Sequence, residues 1–270
     1  MNKISQTIPL QVDTVFSPFR ADEFDVALAY LSEIGFSGVE LAIAYPREVD
    51  AERLQKNLDS RGLTATTLST GQIYGLKGLY LSSFDGEVRA GAVDIIKGHI
   101  ELSSRIGFPP VTVGLLRGKL EQGDKSALMA GFRESLLICI EYASEYGVTL
   151  QLEPINRSET VLLNSVAETM EFIRALGNPS NVGILYDTYH SNIEDGDMGA
   201  AVRMAAHKIT NIHLADSHRG LPGYGDIDFS IVMGVLRETG YGGAYALETL
   251  SIPDQEFVKQ KCYDSVIDIF

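Results

Sequence analysis

The sequence predicts an α/β fold in which eight parallel strands close into a barrel, and three observations carry that prediction. Short apolar, strand-like runs alternate with longer helical patterns along the whole 270 residues, the order that parallel strands joined by crossover helices require. A glycine follows most of the helical patterns by about a residue, where a left-handed C-cap is wanted. Four of the later apolar runs end on a residue able to ligate a metal: LQLEP on Glu153, GILYD on Asp187, NIHLAD on His213 and YALET on Glu248.

The elements follow in order. Pro9–Val15 is read as the first strand and Asp22–Ile34, stopped by Gly35, as the helix after it. Gly38–Ile43 and Leu63–Thr70 are the next two strands, separated by a helix over Val49–Ser60 that ends at Gly62. A helix over Val88–Ile106, ended by Gly107, leads to the strand Val111–Leu116. The long apolar pattern Lys125–Tyr146, ended by Gly147, precedes the strand Val148–Pro154. A helix over Ser165–Leu176 with Gly177 precedes Val182–Asp187, and Met198–His207 precedes Ile209–Asp216. Last come a helix at Phe229–Glu238 with Gly240, the strand Ala244–Leu250 and a closing helix over Asp254–Ile269. Several strands begin one to a few residues after a glycine, as short αβ connections require. No low-complexity linker or charge run divides the chain, so residues 1–270 are read as a single domain of a size at which α/β barrels occur as one unit.

Two connections are longer. Thr70–Glu87 carries Tyr74, Leu76, Leu79, Tyr80 and Phe84 among glycines, and Leu116–Asp124 carries Arg117 and Lys119. The catalytic face of such a barrel is built from loops that follow strands, so both are read as pocket wall or lid.

Composition narrows the function classes. The net charge of -14 opposes non-specific attraction to nucleic acid, whose binders carry a basic patch. Two cysteines, Cys139 and Cys262, make no disulfide framework and fit a reducing cytoplasm. Cys139 lies in the apolar run SLLICI and reads as a core thiol. The N-terminal MNKISQTIPLQVD has no apolar h-region, and no apolar stretch approaches the roughly 20 residues that cross a bilayer. A soluble, cytoplasmic protein with no membrane partner is expected.

Any one carboxylate at a strand end is more simply a helix cap or an arginine partner. Glu153, Asp187, His213 and Glu248 together, at the tips of the last four strands, are not. A metal holds three carboxylates close without forcing their pKa values steeply upward. Three carboxylates and one histidine suit one hard divalent ion, Mn²⁺ or Mg²⁺ with Co²⁺ as a further candidate, better than structural zinc.

The segments LEPINRSET, YDTYH and HLADSHRGLPGYGDIDF, followed by the LET that ends the last strand, resemble the xylose-isomerase-like TIM-barrel superfamily of sugar isomerases and epimerases. Within it the likeness is to ketose 3-epimerases of the D-tagatose and D-psicose type. The resemblance implies a (β/α)8 TIM barrel in which Glu153, Asp187, His213 and Glu248 bind one divalent metal. It also implies that Glu153 and Glu248 exchange the proton and that Glu159, His190 and Arg219 contact a sugar. Homodimers or homotetramers are implied as well. Such chemistry is coherent: inverting a carbinol beside a ketone needs a polarised carbonyl, a stabilised enediolate and a carboxylate on each face.

Other residues keep two readings. His190 faces the pocket or caps the helix after Asp187; Asn156 forms a turn or touches substrate; Arg157 is a salt-bridge partner or a weak site candidate. Glu40, in GVELAI, binds substrate or buttresses a barrel neighbour. Asp226 or Asp228 caps the helix that begins near Phe229. His218 is left out of the site, and His99 and His207, on helical patterns, are read as exposed or interfacial. Arg117 and Lys119 leave open a phosphorylated sugar. Hydroxypyruvate isomerase and inosose isomerase or dehydratase share the metal chemistry and stand as alternatives. An endonuclease IV-like enzyme or a non-catalytic barrel stands further off, since the chain has five histidines and is strongly acidic.

Overall fold

Residues 3–270 are described by the computed structural model. Met1 and Asn2, the start of the N-terminal segment and of the 1–270 domain reading, lie outside the described residues. Among the described residues, β1 (Lys3–Pro9), β2 (Gly38–Ala42), β3 (Thr64–Ser69), β4 (Val111–Val113), β5 (Leu150–Leu152), β6 (Val182–Asp187), β7 (Ile209–Leu214) and β8 (Ala244–Leu247) pair in chain order. All pairings are parallel, and β8 pairs back onto β1 to close the barrel.

The helices α1 (Phe24–Ile34), α2 (Ala51–Asp59), α3 (Gln72–Lys77), α4 (Gly86–Ser103) and α5 (Lys125–Tyr146) accompany the first half. The second half carries α6 (Val166–Ala175), α7 (Thr188–Glu194), α8 (Met198–Ala205), α9 (Phe229–Glu238) and α10 (Gln255–Ile267). The glycine signals act as expected: Gly35 and Gly147 sit at φ 108° and 68° and end α1 and α5 in the left-handed region. Asp228, rather than Asp226, caps α9 by accepting from the Ser230 N–H at 3.0 Å.

The first strand differs from the expectation. It is Lys3–Pro9, sharing only Pro9 with the predicted Pro9–Val15. KISQTIP lacks an apolar run because the inside of this barrel accepts polar groups: Ser5, Gln6 and Thr7 are buried. Ser5 Oγ donates to the Tyr245 carbonyl and a Gln6 Nε2–H to the Leu247 carbonyl, each at 3.1 Å. A polar network continues this layer across β3, β4, β5 and β7. Gln151 Nε2 donates to Thr67 and Thr112 Oγ1, while its Oε1 accepts from Thr210 and Asn211. Apolar pattern therefore under-reports interior strands that hydrogen-bond across the barrel.

β4 and β5 stop sooner than expected, and Leu115–Arg117 turns into a 3₁₀ segment. Two helices, α3 and α7, stand where loops were expected. His99 is also a correction: it is fully buried, its ring nitrogens 2.9 Å from the carbonyls of Ile95 and Ile43, whereas His207 is exposed. A helix with two buried faces hides which polar residue looks inward. Cys139 and Cys262 are buried free thiols. Among the described residues no helix is long and apolar enough to cross a membrane.

Candidate active site

Parallel strands bring their C-terminal ends to one rim, and the four tip residues meet there. Glu153 follows β5, Asp187 ends β6, His213 lies near the end of β7 and Glu248 follows β8. One ligand atom from each lies within 4.8 Å of every other. His213 Nδ1 is 3.6 Å from Glu153 Oε1, 3.6 Å from Asp187 Oδ2 and 3.5 Å from Glu248 Oε2. Ligand atoms about 2.0–2.3 Å from one shared ion stand roughly 3–4.5 Å apart, so these separations fit a single cation.

Two orphaned atoms make the same point. Asp187 Oδ2 and His213 Nδ1 are buried without a hydrogen-bond partner, a costly arrangement unless something else is bound there. Asp187 also reconciles the cap and ligand readings. Its Oδ1 accepts from the N–H groups of Tyr189 at 2.7 Å and His190 at 3.1 Å, starting α7, while Oδ2 stays turned to the cluster. Burial opposes a charge on His213, yet Glu40 and Glu248 raise its pKa well above the usual histidine value. Burial also works against the Glu248 carboxylate, but His213 and Arg219 outweigh it and hold its pKa below the usual range.

Glu153 needs room above β4. A Cβ on Gly114 would stand 2.7 Å from Glu153 Oε2, so a side chain there would push the carboxylate out of this position. Beneath it lies Arg117, fully buried, which donates to the carbonyls of Gly114, Val113, Leu162, Leu163 and Glu153. Burial lowers its pKa to about 10. Arg117 thus ties the β4 and β5 loops together and does not line the pocket, which removes it as an anion-binding candidate. Lys119 does line the pocket, its ammonium 5.2 Å from the Tyr74 ring centroid.

The pocket over the cluster has a volume of ≈ 220 Å³ and includes Glu159, His190 and Arg219 on its walls, together with Glu153, His213 and Glu248. Arg219 links the cluster to the outer wall, donating to Glu248 Oε2 and to Glu159 Oε1, each at 2.9 Å. Its guanidinium lies 4.2 Å from the Phe16 ring centroid and 5.0 Å from that of Tyr189. The residue sits at φ 62°, a left-handed conformation held by the Arg219 N–H to the Asp216 carbonyl and by its own carbonyl to the Leu250 N–H, each 2.7 Å. Strain of this kind persists where the surroundings over-determine it.

His190 is in the first turn of α7, not on an unwinding strand end, and its Nε2 is 3.8 Å from Glu153 Oε1. Its Nδ1 faces the Asn156 backbone N–H at 3.4 Å and Asn156 Nδ2 at 2.8 Å. With two donors on Nδ1, the ring proton belongs on Nε2, directed to the pocket. Asn156 also donates to Glu159 Oε1 at 3.0 Å, and its Oδ1 accepts from the Ser158 N–H at 2.9 Å. It is fully buried and sets both pocket residues while forming the turn. Arg157 points outward to Glu194, at 2.6 Å, and His218 is exposed.

Sequence reading missed Asp216 and left Glu40 between two readings. Asp216 organises the glycine-rich loop, accepting from the N–H groups of Ser217, Gly223 and Ile227; the run HLAD ending on an acid was its only signal. Glu40 is fully buried and sits below the pocket, its Oε2 2.7 Å from His213 Nε2. The buttress reading is therefore the one that holds. The long connections do form wall: Gln72 and Gly75 of α3 line the pocket with Lys119.

Comparison with known proteins gives a consistent result. The family model described as xylose isomerase-like TIM barrel matches residues 28–261. An L-ribulose 3-epimerase of Mesorhizobium japonicum is 35% identical over 248 residues, covering 88% of this chain and 80% of the relative. A D-psicose 3-epimerase of Enterocloster bolteae is 30% identical, covering 81% of this chain and 74% of its own. A solved L-ribulose 3-epimerase structure superimposes with a TM-score of 0.81 at 31% identity, over 97% of this chain and 86% of that one.

Proposed function

Because the chain belongs to the xylose isomerase-like TIM-barrel family, we propose that its pocket is the active site of a divalent-metal-dependent carbohydrate epimerase that inverts C3 of a free ketose. One observation carries this reading: the cluster of Glu153, Asp187, His213 and Glu248 opens into the same small pocket as Glu159, His190 and Arg219. The relatives that are 30% or more identical act, by their names, on L-ribulose and D-psicose.

Glu153, Asp187, His213 and Glu248 would hold the ion. When bound, a divalent cation polarises the ketone and steadies the cis-enediolate. Glu153 and Glu248 reach the pocket from β5 and β8. One takes the C3 proton and the other returns a proton to the opposite face. Glu248 suits a base because Arg219, 2.9 Å from its Oε2, favours the ionised carboxylate against the effect of burial. Arg219 and the Nε2–H of His190 donate to sugar oxygens, and Glu159 accepts from a hydroxyl. The Phe16 and Tyr189 rings lie against the guanidinium of Arg219, which is buried.

The donor set favours Mn²⁺, with Mg²⁺ or Co²⁺ as alternatives. We place the enzyme in the cytoplasm, in keeping with two free thiols, and as a homodimer or homotetramer by resemblance to ketose 3-epimerases. The test is to incubate the Mn²⁺-loaded chain with ketoses, inositol ketones and hydroxypyruvate in deuterated water. Deuterium at C3 of a ketose, with formation of its epimer, is expected. Exchange confined to hydroxypyruvate or to an inosose would replace the epimerase by an isomerase or dehydratase. Exchange into none of them would remove the proposal.

A further inference from the structure

We propose that Glu40 is a positioning residue for the metal centre: it accepts the Nε2 proton of His213 and so fixes the tautomer whose Nδ1 lone pair faces the cation. This inference rests on the metal reading above. It adds a residue outside both the four-residue cluster and the pocket lining.

A neutral imidazole has one N–H, and which nitrogen carries it is set by the hydrogen bond made by the other. His213 Nε2 lies 2.7 Å from Glu40 Oε2, and Nδ1 lies between Glu153, Asp187 and Glu248 at 3.5–3.6 Å with no hydrogen-bond partner. For Nδ1 to ligate, Nε2 must carry the proton and needs an acceptor. Glu40 Oε2 is the acceptor that the structure provides. The two residues sit on β2 and β7, with β1 and β8 between them, so the contact crosses the barrel interior.

The choice of a carboxylate for this place is costly. Glu40 is 0% exposed, and taking a carboxylate out of water is unfavourable. Its Oε1 has no hydrogen-bond partner, so Oε2 to His213 is the one side-chain contact found for this carboxylate among the described residues. A neutral side chain would fill the space more cheaply. An anionic acceptor makes sense if its function is to make the imidazole a stronger, correctly turned ligand.

Glu40→Gln keeps the shape and removes the charge. Titrating Mn²⁺ into the full-length chain by calorimetry should give stoichiometric binding to the unaltered protein and 10–100-fold weaker binding, by order of magnitude, to Glu40→Gln. In parallel, ¹⁵N spectra of the Zn²⁺-loaded unaltered protein should show His213 protonated at Nε2 and shifted by metal at Nδ1. No binding to the unaltered chain would sink the metal reading itself. Binding to Glu40→Gln within about twofold of the unaltered chain would overturn only the positioning inference; a lower melting temperature at unchanged affinity would mean packing alone. Should Glu40→Gln fail to fold, the spectra decide, since metal on Nε2 and a proton on Nδ1 would overturn the proposal.

Discussion

Glu248→Gln separates a two-base epimerase from its alternatives most directly. Glu248 Oε2 is 2.9 Å from Arg219, a cation that favours the ionised carboxylate despite burial, and 3.5 Å from His213 Nδ1. The amide has the same shape and still offers an oxygen to Arg219, so geometry is kept and basicity is lost. Removing a general base costs about 10²–10⁴ in turnover, equivalent to about 2.7–5.5 kcal/mol of barrier. At saturating Mn²⁺ the variant should lose epimerisation by that factor. It should still exchange deuterium into the one epimer whose C3 proton faces Glu153, because that carboxylate can take and return a proton on its own side. Glu153→Gln should show the mirror result, exchanging only the other epimer. Near-normal epimerisation by either variant, or loss of exchange from the same epimer in both, would refute the assignment of one carboxylate to each face.

Four further outcomes are expected. Arg117→Met removes the guanidinium donors from five main-chain carbonyls, of which those of Gly114, Val113 and Leu163 keep a backbone N–H; relief of the buried charge offsets part of the loss, leaving roughly 2–4 kcal/mol of destabilisation in a urea titration, and a change below about 1 kcal/mol would show the clamp to be incidental. Asn156→Ala frees His190 and Glu159 together, so kcat/KM should fall about tenfold, about 1.4 kcal/mol, with little change in thermal midpoint. Burial depresses the His99 pKa, with its two carbonyl contacts opposing. Above the unfolded value of about 6.5 neither state binds this proton; below it the unfolded chain does so first. Stability should therefore fall as pH drops from about 6.5 towards the folded pKa, and the urea midpoint of His99→Gln should lack that component. Chelation of the metal should abolish turnover and lower the melting temperature, with about 2.7 kcal/mol lost relative to protein held at a hundredfold excess over Kd; an unchanged midpoint would argue against a bound ion.

The resemblance to a barrel epimerase and the direct reading of residues succeeded in different places. Glu153, Asp187, His213 and Glu248 were legible because each ends an apolar run, and ends of parallel strands share one rim. Arg219 and His190 were legible only through motif likeness, since their approach depends on a left-handed φ and on the first turn of α7. Arg117 was misread because a cation in a loop looks solvent-facing until the loop folds over it. β1 was displaced because Ser5, Gln6 and Thr7 are satisfied by partners on other strands, which no local pattern contains.

Local chemistry along the chain was enough for the alternation of eight strands with their longer helices, for the glycine stops and for the four candidate ligand tips, because each depends on near neighbours and on a repeating connection. The rest came from contacts between distant segments. Glu40 meets His213 across the barrel, and Asn156 joins Glu159 to His190 of a different helix. Whether such a side chain is a ligand, an acceptor or a clamp is settled by what stands opposite it after closure, and closure is a property of the whole sheet.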